Sequence, residues 1–449
     1  SVRALGGPVV SRLFCPSSPR VLGGIAVPPL PAAAPPRLLF PWGCSGFTMR
    51  PVSLGRTAHP RQLSSMPAFL QSHFPLSDAR RALRDGMRRF VDAEVVPHVR
   101  TWERAREIPR DVYAKAGKAG LLGVGMPEKY GGVGGGIVAL IDFCDELARA
   151  GSGGVLAALG SHQIALPPLL HAASDEIKRQ VLPPVIAGEK VAALAISEPG
   201  GGSDVASLST SAVRDGDDFI VRGEKTFITS GMRADFITLA VRTGGAGPHG
   251  VSLLLIDTAR TPGITRTKLD KMGWHCSDTA HLHFDDCRVP LAHLIGAEGS
   301  GFSTIMKNFN NERLMLSAQA EALARVCYEE ALAWARQRRT FGKPLIERQV
   351  IRHKLVDMAM RLNSTRAFLN ATGHAVMEGE QPIPEICQLK NLASANMEFV
   401  VSEAVAILGG MGYMEGTISE RVFRETKVIQ IGGGATEIMK DLAARQAKY

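Results

Sequence analysis

The sequence predicts a multi-domain α+β chain: a helical domain, then a small all-β domain, then a helical bundle. Two observations carry that reading. Apolar residues recur at helical spacing on both sides of a central stretch. Within that stretch the period shortens to strands separated by Gly, Asp and Pro clusters. Size adds a third: 449 residues suffice for two or three domains with a sizeable core.

The N-terminal segment stands apart. Residues 1–77 carry seven arginines (Arg3, Arg12, Arg20, Arg37, Arg50, Arg56, Arg61), no lysine and no acid. Those seven account for most of the formal net charge of +9, so the basic pI says little about nucleic acid. Arg- and Ser-rich, acid-free composition is that of a mitochondrial transit peptide. "RQLSS" at 61–65 resembles an arginine-anchored processing site that leaves Ser64 or Ser65 first. Against this, "VPPLPAAAPP" is too proline-rich for a good presequence helix, and the alternative is a stretch outside the true reading frame. Either way residues 1–65 are set outside the fold, and the transit-peptide reading implies the mitochondrial matrix. The seven cysteines are scattered without a C-x-x-C pair, which fits a reducing compartment rather than a disulfide framework. No apolar run approaches the roughly 18–20 residues of a membrane span.

Residues 66–191 read as helical. "DARRALRDGMRRFVDAEVVPHVRTW" and "IVALIDFCDELARA" have the helical period, with the "YGGVGGG" loop (Tyr130 to Gly136) between them. Residues 192–294 contain four β-rich runs, "DFIVRGEKTFITSG", "DFITLAVRT", "GVSLLLIDT" and "TAHLHFDDCRVP", which imply a barrel or sandwich. Residues 295–449 return to long amphipathic helices suited to a bundle.

Several short motifs carry chemistry. "AISEPGGGSDVASL" (Ala195 to Leu208) joins the helical and β regions, and its small residues let backbone approach a flat or phosphorylated ligand, with Ser197 and Ser203 supplying hydroxyls. Alone it is equally a plain turn. In "GEKTFITSG" (Gly223 to Gly231), Phe227 is suited to face a ring system and Thr229 to bond its edge; a half-buried strand is the bland alternative. "RQRRTFGKPLIERQ" (Arg336 to Gln349) places four arginines close together, which binds anions or simply ends a solvated helix. "AILGGMGYM" (Ala406 to Met414) is a glycine turn, and "VIQIGGGATEI" (Val428 to Ile438) sets three glycines before a helical tail, an arrangement that lets N–H groups approach a ligand. "HCSDTAHLHFDDC" (His275 to Cys287) looks metal-rich, but it lacks a tetrahedral set at zinc spacing and reads as structural, with Asp285 and Asp286 as turn residues.

Taken in order, "PEKYGG", "SEPGGGSD", "FITSG", "RRTFGKPL", "LGGMGY" and the terminal glycine loop with "EIMKDLAAR" resemble the acyl-CoA dehydrogenase family, over almost the whole chain from about Met66. The resemblance implies an N-terminal helical domain, a middle β-barrel, a C-terminal four-helix bundle, FAD in each subunit and a homotetramer. By motif it also implies that the segment with Leu194, Ile196, Ser197, Gly202 and Ser203 cradles the flavin, Ser203 also meeting acyl-CoA. Phe227, Ile228 and Thr229 would flank the isoalloxazine. Arg338 and Gln349 would reach the FAD of a neighbouring subunit, as would Ala406, Gly409 and Gly410; Phe341 would also contact the cofactor, and Ala435, Thr436 and Glu437 would close the site. Ala406 stands where the family has Gln and Ala435 where it has Thr.

Many family members carry a catalytic Glu in the terminal loop, at the position of Gly433. The isovaleryl- and long-chain branches take the base from the first bundle helix, as "ERL". Glu312-Arg313-Leu314 matches, so Glu312 is the expected base, with Arg313 on the substrate's CoA end and Gly433 and Gly434 against the substrate; Glu425 and Glu437 are fallbacks. The implied reaction is α,β-dehydrogenation of an acyl-CoA of medium or long chain in β-oxidation, with electron-transferring flavoprotein as acceptor and no metal. The alternatives are a branched short-chain dehydrogenase, an oxygen-using oxidase or monooxygenase of the same fold, and a non-catalytic scaffold.

Overall fold

The computed structural model describes residues 77–449, so the expected leader at 1–65 lies outside the described residues. The first helix, Asp78–Phe90, starts where the Ser77 hydroxyl accepts from the Arg80 N–H and Asp78 stands in the first turn. The long helical stretch expected here does not continue unbroken. It passes through a wide π-helical turn, Val91–Val95, and restarts at Val99–Ala105. Pro97 is the reason: it has no N–H to give the preceding turn and its ring crowds it. Helices 110–118, 136–147, 153–160, 162–172 and 175–186 complete this part.

Eight strands follow: β1 (Ala192–Ala195), β2 (Ser211–Asp215), β3 (Asp218–Thr229), β4 (Phe236–Arg242), β5 (Val251–Asp257), β6 (Ile264–Lys268), β7 (Thr279–Pro290) and β8 (Leu294–Ile295). They form one sheet in the order β6-β7-β3-β2-β4-β5-β8, with β1 parallel to β4. The sheet wraps a core of its own, including Phe219, Val221, Leu239, Leu254, Leu282 and Phe284, all fully buried. Alternate residues of β4 and β5, among them Phe236, Ala240, Leu253 and Leu255, pack outward on the helices around Leu166, Leu182 and Ile305. Both faces of these two strands are therefore covered, which is why "VSLLLID" is apolar almost throughout. Asp285 and Asp286, expected in a turn, sit inside β7, where it bulges against β3 and Asp286 pairs with Arg222.

Three long helices, 301–337, 349–377 and 383–408, and a shorter fourth, 436–447, make the C-terminal part. A small hairpin, β9 (Arg339–Thr340) and β10 (Lys343–Pro344), turns the chain between the first two. A web of buried charge joins this part to the N-terminal helices. On helix 136–147, Asp142 takes Arg80 (2.6 Å) and Glu146 takes Arg84 and Arg88 (2.9 and 2.8 Å). Asp145 takes Arg325 (2.7 Å) and Arg366 (2.6 Å) from the bundle, and Arg366 also pairs with Glu321.

Candidate active site

The tri-glycine loop and the middle of helix 301–337 meet face to face. Gly433 has φ +66° and Gly434 φ +116°, the latter a conformation that only glycine adopts readily. A Cβ at Gly433 would point at this helix, 2.7 Å from Leu316 Cδ1, 3.7 Å from Arg313 Cγ and 3.9 Å from Glu312 Oε1. A side chain on the loop and the Glu312 carboxylate would thus occupy neighbouring space. This is the geometry expected if an acid on the helix replaces an acid on the loop.

Glu312 is half-buried at its surface yet enclosed enough that burial pushes its carboxyl up to about 7, against the pull of the Arg313 and Lys390 charges. It has no hydrogen-bond partner among the described residues, so its lone pairs are available to take a proton. Arg313, expected on the CoA end of a substrate, is buried and turned to the loop. Its Nε donates to the Gly433 carbonyl (3.0 Å) and its Nη1 to Asn310 Oδ1 (3.1 Å), while its guanidinium lies over the Phe309 ring (5.6 Å).

One residue at this site escaped the sequence reading. Lys390 is fully buried and donates to the carbonyls of Gln430 (2.8 Å) and Gly434 (2.6 Å). Its neighbour Asn391 donates to the Thr436 carbonyl (3.0 Å). The available signal was a lysine at a core position of the 383–408 helix, in line with Ile386, Ala393 and Met397. With Arg313, these groups engage the loop's carbonyls from behind, and the Gly433 N–H has no acceptor among the described residues.

On the β domain, β3 slips out of register with β7 between Lys225 and Ile228. Phe227 sits in that bulge with φ +59° and is 72% exposed. A bulky residue at positive φ stores strain, and a large ring held in the open is otherwise unexplained. The half-buried-strand alternative for Phe227 is therefore overturned. Ile228 differs from expectation in the other direction: its side chain is buried in the core that the sheet wraps. The hydroxyls of Ser197, Ser203 and Thr229 make no hydrogen bond among the described residues. Gly202 lies against Ser197, where a Cβ would be 3.2 Å from its Oγ. Leu194 is in β1 and Ile196 follows it, its carbonyl accepting from Lys225 Nζ (3.0 Å). Lys225 also pairs with Glu198 (2.8 Å), which accepts from the Ser209 and Thr210 N–H groups as well. Burial alone would raise the Glu198 carboxyl, but Lys225 and these donors hold it near 2. This buried pair, also missed from sequence, ties the glycine-rich segment to the bulged strand.

The residues expected to serve a neighbouring subunit, and Phe341, expected at the cofactor, lie on the surface. Arg338, Phe341, Gln349, Ala406, Gly409 and Gly410 are all exposed, Phe341 at 97% and with φ +49°. Ala435 and Thr436 are half-buried where the last helix begins, and Glu437 is exposed in its first turn. Glu425, a fallback base, is fully buried and accepts from the Gly153 N–H (2.8 Å). Its environment is formed by Glu103, Trp274 and Arg421 rather than by the glycine loop. His281 and His283 both flank Glu224, at 3.7 and 3.4 Å.

Three family models match the chain: "Acyl-CoA dehydrogenase, N-terminal domain" over residues 77–189, the "middle domain" over 193–287 and the "C-terminal domain" over 299–448. The mouse mitochondrial long-chain specific acyl-CoA dehydrogenase is 35% identical over 366 residues, covering 81% of this chain and 85% of the relative. An acyl-CoA dehydrogenase structure from Geobacillus kaustophilus superposes with a TM-score of 0.81 at 36% identity, over 84% of this chain and 100% of the other. A glutaryl-CoA dehydrogenase from Mycobacterium smegmatis in complex with FADH2 gives 0.77 at 27% identity, over 83% and 95%.

Proposed function

Since the chain belongs to the acyl-CoA dehydrogenase family, we propose that it binds FAD and oxidises a medium- or long-chain acyl-CoA to the trans-2-enoyl-CoA, with Glu312 as the base. One observation carries the assignment of the base: the side-chain direction of Gly433 converges on Glu312 Oε1 at 3.9 Å. The residues present fit a flavin. An exposed aromatic ring is held on a strained bulge, and the hydroxyls of Ser197, Ser203 and Thr229 have no hydrogen-bond partner among the described residues. When bound, FAD would supply the acceptor for the β-hydride.

The chain's own residues do the rest. The α-carbon of a thioester is a weak acid until its carbonyl is held by hydrogen-bond donors. The Gly433 N–H is a backbone donor without an acceptor among the described residues, on a loop fixed from behind by Arg313 and Lys390. Glu312 takes the α-proton, and a carboxyl poised near 7 suits that task at neutral pH. Glycine at 433 leaves the loop without a side chain of its own, so acyl chain and base share the space. Long-chain preference is supported by the likeness to the mouse long-chain relative, while the "ERL" placement of the base is shared with the isovaleryl branch. Electron-transferring flavoprotein as acceptor, assembly as a homotetramer that covers the exposed Phe341 surface, and a matrix location complete the proposal.

Anaerobic titration of the FAD-loaded protein with palmitoyl-CoA, octanoyl-CoA and isovaleryl-CoA tests it. Bleaching of the flavin absorbance is expected, most completely with the longer chains. A flavin that none of the three bleaches would overturn the reading and favour a scaffold. Below pH 7 the carboxyl of Glu312 is protonated and cannot act as base, so the single-turnover rate should rise with pH through about 7. A rate independent of pH between 5.5 and 7.5 (about 1.5 units either side of that region) would count against Glu312.

A further inference from the structure

We infer that Lys390 is a positioning residue of this reaction: from behind the loop it fixes the Gly433 N–H toward the thioester and sets a positive charge beside the catalytic carboxylate. The inference rests on the proposed function and assigns a role to a residue outside the reacting surface.

Three features carry it. Lys390 is fully buried on helix 383–408, a place where lysine is rarely found without a specific partner. Its ammonium donates to two carbonyls, Gln430 and Gly434, which lie on either side of Gly433. Holding both fixes the orientation of the peptide planes between them. No carboxylate forms an ion pair with it among the described residues, so the charge is balanced by these carbonyl dipoles and acts on its surroundings. Arg313 adds a further contact, donating to the Gly433 carbonyl itself. A backbone N–H misplaced by about 1 Å costs on the order of 10²-fold in such reactions, and a loop of three glycines cannot hold itself to that tolerance.

The charges around the pair are few. Arg313 and Lys390 act on Glu312; Arg313, Glu312, Cys387 and Glu437 act on Lys390. Burial first, and then Arg313, bring Lys390 down to about 8, so it is charged at neutral pH and loses its charge only above that. Removing the charge takes away one of the two cations that favour ionised Glu312. The pH at which Glu312 becomes an active base should then move up.

The test uses full-length, FAD-loaded protein with Lys390→Met, Lys390→Gln and Lys390→Arg. Stopped-flow flavin reduction by the best acyl-CoA is followed from pH 5.5 to 9.5. Hydrogen exchange of the peptide covering residues 428–436 is measured without substrate. Lys390→Met should reduce the rate on the order of 10²-fold, shift the rising limb of the pH profile upward, and speed loop exchange at least about tenfold. Lys390→Gln keeps a donor without the charge and should show the shifted limb with a smaller loss of rate. Lys390→Arg should bring the limb back. Wild-type rate, limb and exchange in Lys390→Met would overturn the inference. If only Lys390→Gln and Lys390→Arg fold, identical pH profiles for the two would overturn it. Wild-type protein that is not reduced at all sinks the proposed function instead, and unchanged loop exchange in the variants would then sink the inference separately.

Discussion

Glu312→Gln lowers the rate of flavin reduction by acyl-CoA by about 10³-fold, within the 10²–10⁴ range for a lost general base, while FAD stays bound. The amide keeps the size of the carboxyl but has no lone pair basic enough to take the α-proton. Glu312 makes no hydrogen bond or ion pair that the substitution would break among the described residues, so stability should change little. Stopped-flow reduction beside a thermal melt separates chemistry from folding. A companion variant sharpens the point. Adding Gly433→Glu to Glu312→Gln should recover part of the lost rate, because a side chain at 433 projects into the same space. Recovery will be incomplete: Leu316 must move aside and φ +66° strains any residue with a Cβ. Equal rates in wild type and Glu312→Gln would move the base to Glu437, since Glu425 is sealed beside Glu103 and Trp274.

The second large effect is on stability. Asp145→Asn should cost about 3–5 kcal/mol, the range for removing one member of a buried ionic network. Arg366, only 4% exposed, would keep Glu321 but lose its other carboxylate, and Arg325 would lose its shortest ion pair. The sign with pH follows. Burial by itself would raise the Asp145 carboxyl, but Arg366, Arg325 and Arg84 hold it down to about 2. Its contribution is therefore complete above the ordinary carboxylate range near 4 and is lost as pH falls from there toward 2. Urea unfolding midpoints at pH 7 should differ clearly between wild type and Asp145→Asn, and the gap should narrow below pH 4. A gap that stays constant to pH 2.5 (roughly a unit and a half below that range) would mean the loss is packing rather than charge.

How much of this was legible in sequence varies with the kind of signal. The β-rich runs emerged at β3, β4, β5 and β7, because those strands are long and apolar or alternating. The four short strands β1, β2, β6 and β8 carry too few residues to set a period. Glu312 could be singled out from sequence because an acid present at 312 and absent at 433 is a statement about residue types, and the fold sets it opposite Gly433. Lys390 and the Glu198–Lys225 pair are statements about partners distant in sequence, and no local pattern announces them. Arg313 illustrates the difference: its identity pointed to the site, while its contacts with Gly433 and Asn310 came only from the fold.

The charge web also sets an order of events during synthesis. Asp142 and Glu146 find their arginines 58–62 residues upstream, already made when helix 136–147 appears. Asp145 waits for Arg325 and Arg366, 180 and 221 residues downstream. At the usual ribosomal pace of about 5–20 residues per second, that is on the order of ten seconds or more. Throughout it, the helical domain carries an acid whose main partners do not yet exist. The N-terminal helices are thus completed late, by the part of the chain that also carries Glu312 and the glycine loop.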